Sequence, residues 1–289
     1  MPMNQINLYK KIIDNCDEAL REAFIHRMNI AENIASTKIK NGMKISDVAM
    51  DEENVQRVTF GVPRDIKPMA VSLWRSLSRM NRGRQYSYCM RNTECVLSYD
   101  GFLTGELPEG TVICPSDIAP EVSSKLGIVA EGCTSTREAI TRLAEGKCSL
   151  AAVKTGSFYD TAWLYSMILD KNIFVSRFEL MEDGSMIALL SDRLVASAEN
   201  TIITVAFSIV MDQPGDIAQK VSIFAEAGMN IEYLAVKTQG IDDDDRRNIN
   251  IVFCELSGGG LSSVNSRSAF MQLENECEIF RILGSRKSV

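Results

Sequence analysis

The chain has 289 residues, 45% of them apolar and 24% charged, with a formal net charge of -7. That is the composition of a soluble globular protein of two or three domains, and the acidic balance argues against nucleic acid as a partner. No apolar run approaches the ~20 residues that cross a bilayer, and the amino terminus has no charged-then-apolar signal pattern, so no membrane partner and a cytoplasmic location are expected.

From Ile6 to Asn41 the apolar residues Leu8, Ile12, Cys16, Leu20, Ala23, Phe24, Ile30, Ala31 and Ile34 recur at helical spacing with no interior proline or glycine, and Gly42 closes the run. Such a rod, roughly 54 Å long, calls for partner helices along its length, most simply from a second copy of the chain. Asp47 and the acidic residues 51–53 open a shorter helix to about Thr59, and a third begins near Pro68 and reaches about Tyr88. The chain is therefore read as all-helical to residue 92.

From Cys95 short apolar runs alternate with Gly, Pro and Asp. Strands are predicted at 111–114, 150–153 and 186–190, and helices at 135–145 and 157–169, which is an α/β pattern. A final segment begins with an alternating strand at 201–209, turns at Asp212-Gln213-Pro214-Gly215, and continues as helix 216–227, strands 231–237 and 248–256, helix 268–276 and strand 279–283. The order β-α-β-β-α-β is that of a ferredoxin-like sandwich. Asp242-Asp243-Asp244-Asp245 followed by Arg246-Arg247 reads as a solvated hairpin tip between two of these strands.

The eight cysteines include no C-x-x-C pair and His26 is the chain's one histidine, which argues against a zinc site or a Cys-His nucleophile and for buried reduced thiols. No metal and no cofactor is expected. Arg27 and Lys38, eleven residues apart, fall on one side of the first helix about three turns apart. Lys10 lies a quarter turn off that line and suits a neighbour's pocket. Long basic side chains often lay their stems on a core and send their charges to water. Here Asn81 and Gln85, an i,i+4 polar pair on the third helix, add polar groups beside apolar Leu73, Trp74 and Leu77, and together the set suggests a cavity for a small polar anion.

The run Asp17-Glu18, Arg27, Lys38, Asp47 to Asp51, then Asn81 and Gln85, resembles the helical chorismate mutase domain over about ninety residues. The resemblance implies an isomerase acting on chorismate, built as an intertwined three-helix homodimer in which the first helix sends a cation into the other subunit's site. It further implies that Arg27 and Lys10 hold the substrate carboxylates, that Lys38 and Gln85 face the ether oxygen, that Asp47 and Asp51 contact the ring hydroxyl, and that Asn81 stands where a serine is common. The sequence departs from the family at Lys10, in place of arginine; at Met50, where an arginine usually precedes the acidic residue; and at Asp51, in place of glutamate. Lower activity than that of a good mutase is the expectation.

Cys133-Thr134-Ser135-Thr136-Arg137-Glu138-Ala139 with Glu145-Gly146 and 151–153 is similar to the second lobe of prephenate dehydratases. Residues 212–216, 224–231 and 281–285 look like the ACT domain that follows it. The whole order resembles the bifunctional chorismate mutase/prephenate dehydratase of phenylalanine biosynthesis in the shikimate pathway. Three domains are thus expected: 1–92 mutase-like, 93–198 a shortened dehydratase-like α/β lobe and 199–289 ACT-like. The glycine-rich first-lobe motifs are not found, and Ser185-Met186-Ile187 stands where the catalytic Thr-Arg-Phe is expected, so dehydration is not expected. Ser135 and Thr136 are read equally as ligand contacts or a helix cap. Asp216, Ile217 and Ala218 are candidates for an amino-acid effector site, with Asp216 read more readily as a helix cap. Two further readings stay open: a complete bifunctional enzyme of divergent sequence, and a non-catalytic ligand-binding or assembly protein derived from it.

Overall fold

The computed structural model describes residues 2–156, 161–196, 201–211, 214–238 and 249–287. The acidic run 242–245 with Arg246 and Arg247, the start of the helix read from 157, and Asp212 and Gln213 of the predicted turn lie outside them. The chain forms two compact units, Met1–Cys95 and Val96–Val289.

The first unit is three helices: α1 (Pro2–Lys40), α2 (Val48–Val58) and α3 (Lys67–Asn92). α1 ends where Gly42 takes φ +63°, a backbone state that glycine reaches without a Cβ clash. There Gly42 N–H donates to Ile39 O and Met43 N–H to Lys38 O, which satisfies carbonyls of the last turn. Asp47 caps α2 by accepting from Met50 N–H at 3.0 Å, and Pro68 sits in the first turn of α3, where a missing N–H costs nothing. Ala31 and Ala35, four residues apart and fully buried, let α1 approach its neighbours closely; Val55, Tyr86 and Cys89 complete the buried set. Ion pairs tie the helices: Arg84 and Arg91 to Glu32 at 3.0 and 2.6 Å, and Arg75 to Glu52 at 2.8 Å. Residues 5–26 of α1 are exposed, including Ile6, Leu8, Ile12, Ile13 and Leu20.

The second unit contains, in order, β1 (Leu103–Thr104), β2 (Val112–Pro115), α4 (Ala119–Leu126), β3 (Ala130–Cys133), α5 (Thr136–Ala144), β4 (Leu150–Thr155), α6 (Ala162–Ile168), β5 (Phe174–Leu180), β6 (Met186–Ser191), β7 (Leu194–Val195), β8 (Ile202–Val210), α7 (Asp216–Glu226), β9 (Asn230–Thr238), β10 (Ile249–Ser257), α8 (Val264–Glu276) and β11 (Phe280–Arg286). β1 pairs with β7, and the other nine strands form one sheet in the order β3-β2-β4-β6-β5-β11-β8-β10-β9. Alternation along the strands splits the core over two faces. Ala151, Val153, Ala188 and Leu190 pack with Ile140 and Leu143 of α5 and Leu164 of α6, while Leu150, Ala152, Ile187 and Leu189 pack with Val122 of α4. The last six elements keep the expected β-α-β-β-α-β order, with β8 flanked by antiparallel β10 and β11.

The sheet crosses from the lobe-like strands to the ferredoxin-like strands at β5 and β11, paired in parallel at Gly284 and Val175. A Cβ at Gly284 would meet Val175 O at 2.3 Å, so only glycine fits the strand's irregular step there. A buried polar group lies near the same seam. Tyr165 OH donates to Glu255 Oε1 at 2.5 Å, Arg286 Nη2 donates to Glu255 Oε2 at 2.8 Å, and the Arg286 guanidinium lies 5.1 Å from the Phe178 ring. Burial pushes the Tyr165 phenol well above the usual tyrosine range, so it stays a donor.

Several expectations change at the ends of elements. Ser135 is the N-cap of α5 and accepts from Glu138 N–H. Asp216 does not cap α7: Gly215, at φ +93°, holds that place, and Asp216 is the first helical residue, where its carboxylate favours the positive end of the helix. Ser185 Oγ donates to Asp183 at 2.5 Å.

Candidate active site

A cavity of about 580 Å³ opens among the three helices of the first unit. Each helix supplies a stripe. α1 contributes Ala23, Arg27, Ile30, Ile34 and Lys38, and α3 contributes Trp74, Ser78, Asn81 and Gln85, both at spacings of three and four that keep one face inward. α2 adds Met50, Asp51, Asn54, Val55, Arg57 and Val58. The volume is in the range of small-molecule sites.

Five of the seven residues singled out from sequence meet here: Arg27, Lys38, Asp51, Asn81 and Gln85. The Arg27 guanidinium carbon lies over the Trp74 ring, 5.8 Å from its centre, a cation–π contact beside the cavity. Its Nε is buried with no hydrogen-bond partner in the protein, and the same holds for Asn81 Oδ1 and Gln85 Oε1, although Gln85 is only 3% exposed. Buried polar atoms are nearly always paired, so three such atoms facing one cavity from α1 and α3 make it a candidate site for a polar ligand. Lys38 Nζ donates to Ile45 O at 2.6 Å, a carbonyl just past the α1 terminus. That bond aims the ammonium and leaves two protons for other acceptors. Asp51 is paired with Arg82 of α3.

The other two residues lie elsewhere. Asp47 spends its carboxylate on the α2 N-terminus instead of lining the hollow. Lys10 is on the exposed part of α1, some 26 Å along the helix from Arg27 at 1.5 Å per residue. Asp216, Ile217 and Ala218 share the first turn of α7.

The sequence reading missed His26, Asn54, Arg57 and Ser78 on the cavity wall and Arg82 behind it. Part of the signal was present: Trp74, Ser78, Asn81 and Gln85 form an i, i+4, i+7, i+11 series, and Arg57 lies seven residues after Met50 on the same face of α2. Among the described residues no cluster of His, Cys, Asp and Glu suits a metal ion, and no helix is long and apolar enough to cross a membrane. Burial pushes three thiols up, Cys114 and Cys277 to about 11 and Cys254 to about 12, which makes them poor nucleophiles at neutral pH.

Residues 9–86 match the family model for chorismate mutase type II. No curated protein matches the chain. Among solved structures, prephenate dehydratase of Arthrobacter aurescens in complex with L-Phe is similar at 12% identity, covering 62% of this chain and 90% of that one, with a TM-score of 0.51. Prephenate dehydratase of Streptococcus mutans (14% identity, 62% and 97% covered, TM-score 0.48) and GqqA, described as a novel type of quorum quenching acylase (18%, 62% and 95%, TM-score 0.48), are also similar. The chain thus carries a chorismate mutase type II domain at residues 9–86 and an α/β region whose mixed sheet resembles that of prephenate dehydratase.

Proposed function

We propose that the helical unit converts chorismate to prephenate. The observation that carries the reading is the cavity to which Arg27, Asn81 and Gln85 bring buried polar atoms with no hydrogen-bond partner in the protein, beside the Lys38 ammonium. The rearrangement breaks one C–O bond as one C–C bond forms within a single molecule, so it needs no nucleophile and no proton shuttle. It needs two carboxylates clamped so that the side chain folds over the ring, and donors fixed where the ether oxygen gains negative charge. Arg27 holds a carboxylate, and Lys38 donates a hydrogen bond to the ether oxygen without giving up its proton. Gln85 stands beside it: rotating its amide exchanges oxygen for N–H₂ in the same place. Asp51, steadied by Arg82, takes the ring hydroxyl, and Asn81 offers a further polar contact. The match to the chorismate mutase model supports this assignment.

In this reading two copies pair through the exposed apolar positions of α1, and Lys10 of one copy enters the other's pocket, where it holds the second carboxylate. Asp47, engaged in capping, acts on the ring hydroxyl only if it leaves the helix end. The mutase domain spans 1–92, followed by a shortened dehydratase-like lobe at 93–198 and an ACT-like module at 199–289 that takes an amino-acid effector near Asp216, Ile217 and Ala218, in a cytoplasmic enzyme of phenylalanine biosynthesis. The lobe does not dehydrate prephenate in this reading: the glycine-rich first-lobe motifs are missing from the sequence, and Ser185, which stands where the catalytic Thr-Arg-Phe is expected, donates to Asp183.

The test is incubation of the purified full chain with chorismate, following loss of its ultraviolet absorbance and identifying products. Prephenate is expected to accumulate without phenylpyruvate at neutral pH. Arg27→Ala should lower kcat/KM by roughly 10²- to 10³-fold with unchanged circular dichroism. Absence of turnover by the unaltered chain refutes the mutase reading, and enzymatic phenylpyruvate refutes the account of the lobe.

A further inference from the structure

We propose that Arg57 is a substrate-holding residue, a further cation that shares the grip on one of the two carboxylates assigned above to Arg27 and Lys10; the proposal rests on the mutase reading above and extends it. Within one chain the cavity wall carries three permanent cations, Arg27, Lys38 and Arg57, and one carboxylate, Asp51. Asp51 is already paired with Arg82, so it does not neutralise the wall. Lys38 is drawn to Ile45 O at the end of α1, and Arg27 lies over Trp74. Arg57 is the one cation that α2 brings to the cavity.

Its position follows from helix geometry. Met50 and Arg57 are seven residues apart, about 20° from alignment, so they share a face of α2 two turns apart. Met50 presents a thioether to the hollow and has no charge to offer a carboxylate, which leaves the C-terminal turn of α2 as that wall's anion-binding end. Arg57 Nη2 donates to Asn54 Oδ1 at 3.1 Å, one turn earlier and also on the cavity wall. That exposed bond engages one guanidinium nitrogen and leaves other N–H groups for a two-pronged grip on a carboxylate. The competing account is a solvated arginine that merely complements the C-terminal end of the helix dipole, and it assigns Arg57 no effect on ligand.

Kinetics and binding on the full chain separate the two. Arg57→Ala is expected to raise KM for chorismate by roughly 10- to 100-fold with a smaller change in kcat, and Arg57→Lys should recover part of the loss. Adding Met50→Arg to Arg57→Ala, which moves the cation two turns along the same face, should lower KM again. Calorimetric titration with prephenate gives an independent readout, with affinity falling by a similar factor in Arg57→Ala. If the unaltered chain turns over chorismate and Arg57→Ala keeps its KM and its prephenate affinity, Arg57 is a surface residue and the mutase reading stands. If the chain fails to turn over chorismate yet binds prephenate in an Arg57-dependent way, the mutase reading falls and the site stands. If it neither turns over chorismate nor binds prephenate, both are overturned. A variant with a lowered thermal midpoint is replaced by Arg57→Gln, whose amide keeps a polar side chain on this exposed turn.

Discussion

In the helical unit, Arg27 Nε, Asn81 Oδ1 and Gln85 Oε1 line a hollow with no hydrogen-bond partner in the protein, whereas in the α/β unit the Tyr165 hydroxyl and Arg286 Nη2 both meet the Glu255 carboxylate. Both arrangements place polar chemistry out of water. They differ in what meets it: in the second the chain supplies Glu255, while in the first the proposed reading leaves that part to the substrate. An unsatisfied buried acceptor lowers the stability of the empty protein, while a satisfied buried pair is costly to break. Opposite responses to truncation are therefore expected in the two units.

The largest effect should come from Glu255→Ala. It leaves the Arg286 charge buried without its carboxylate and should lower the unfolding free energy of the α/β unit by about 3–5 kcal/mol, read as a shifted urea midpoint. A change below 1 kcal/mol would mean that the network does not hold the seam. Gln85→Leu should act in the other direction on stability, raising it by about 1 kcal/mol through removal of an orphan amide, while kcat falls by roughly 10²-fold. Loss of both stability and rate would instead make Gln85 a structural residue.

The smallest effect concerns acid. Asp100 accepts from both Arg267 Nη1 and Nη2, at 2.7 and 2.8 Å, and the Arg267 hydrogen bonds hold its carboxyl below the usual aspartate range. A carboxyl depressed in the folded state contributes stability above its unfolded value, about 3.9, and that contribution is lost as pH falls through the folded value. Below about pH 4 the α/β unit should therefore lose up to about 1 kcal/mol from this pair, after solvent screening, and Asp100→Asn should flatten that part of the profile. An unchanged profile in Asp100→Asn would place the acid sensitivity elsewhere.

How much of this was legible in sequence depended on whether a signal was local. The three helices of the first unit could be read because their apolar positions repeat, Gly42 ends one and Asp47 and Pro68 start the others. The α1 stripe carrying Arg27 and Lys38 was legible for the same reason. Arg82 was not, since its partner Asp51 is 31 positions away and only the packing of α2 on α3 joins them. In the second unit α4, β3 and β5 went unread. β3 is Ala-Glu-Gly-Cys, with two exposed central residues and no β-branched side chain, so its pairing with β2 and not its composition makes it a strand. The joining of β5 to β11 was equally hidden, because a single glycine is its sequence trace. Ser135 was legible as a cap because its bond partner is three residues on, while Asp216 misled: a glycine with positive φ took the place where an acidic side chain was expected.

The exposed stretch of α1 has a further consequence. Over residues 5–26, about six turns, every residue of the helix is exposed, with Ala23 and His26 reaching the cavity. Isolated helical turns are marginal in water, so with a second copy covering this segment, as proposed, its order is governed by mass action. Dilution is then a thermodynamic variable for this protein in the way that temperature is for others: as the concentration drops, the amino-terminal turns are expected to fray first, and the shorter stretch anchored at Ala31 and Ala35 to persist.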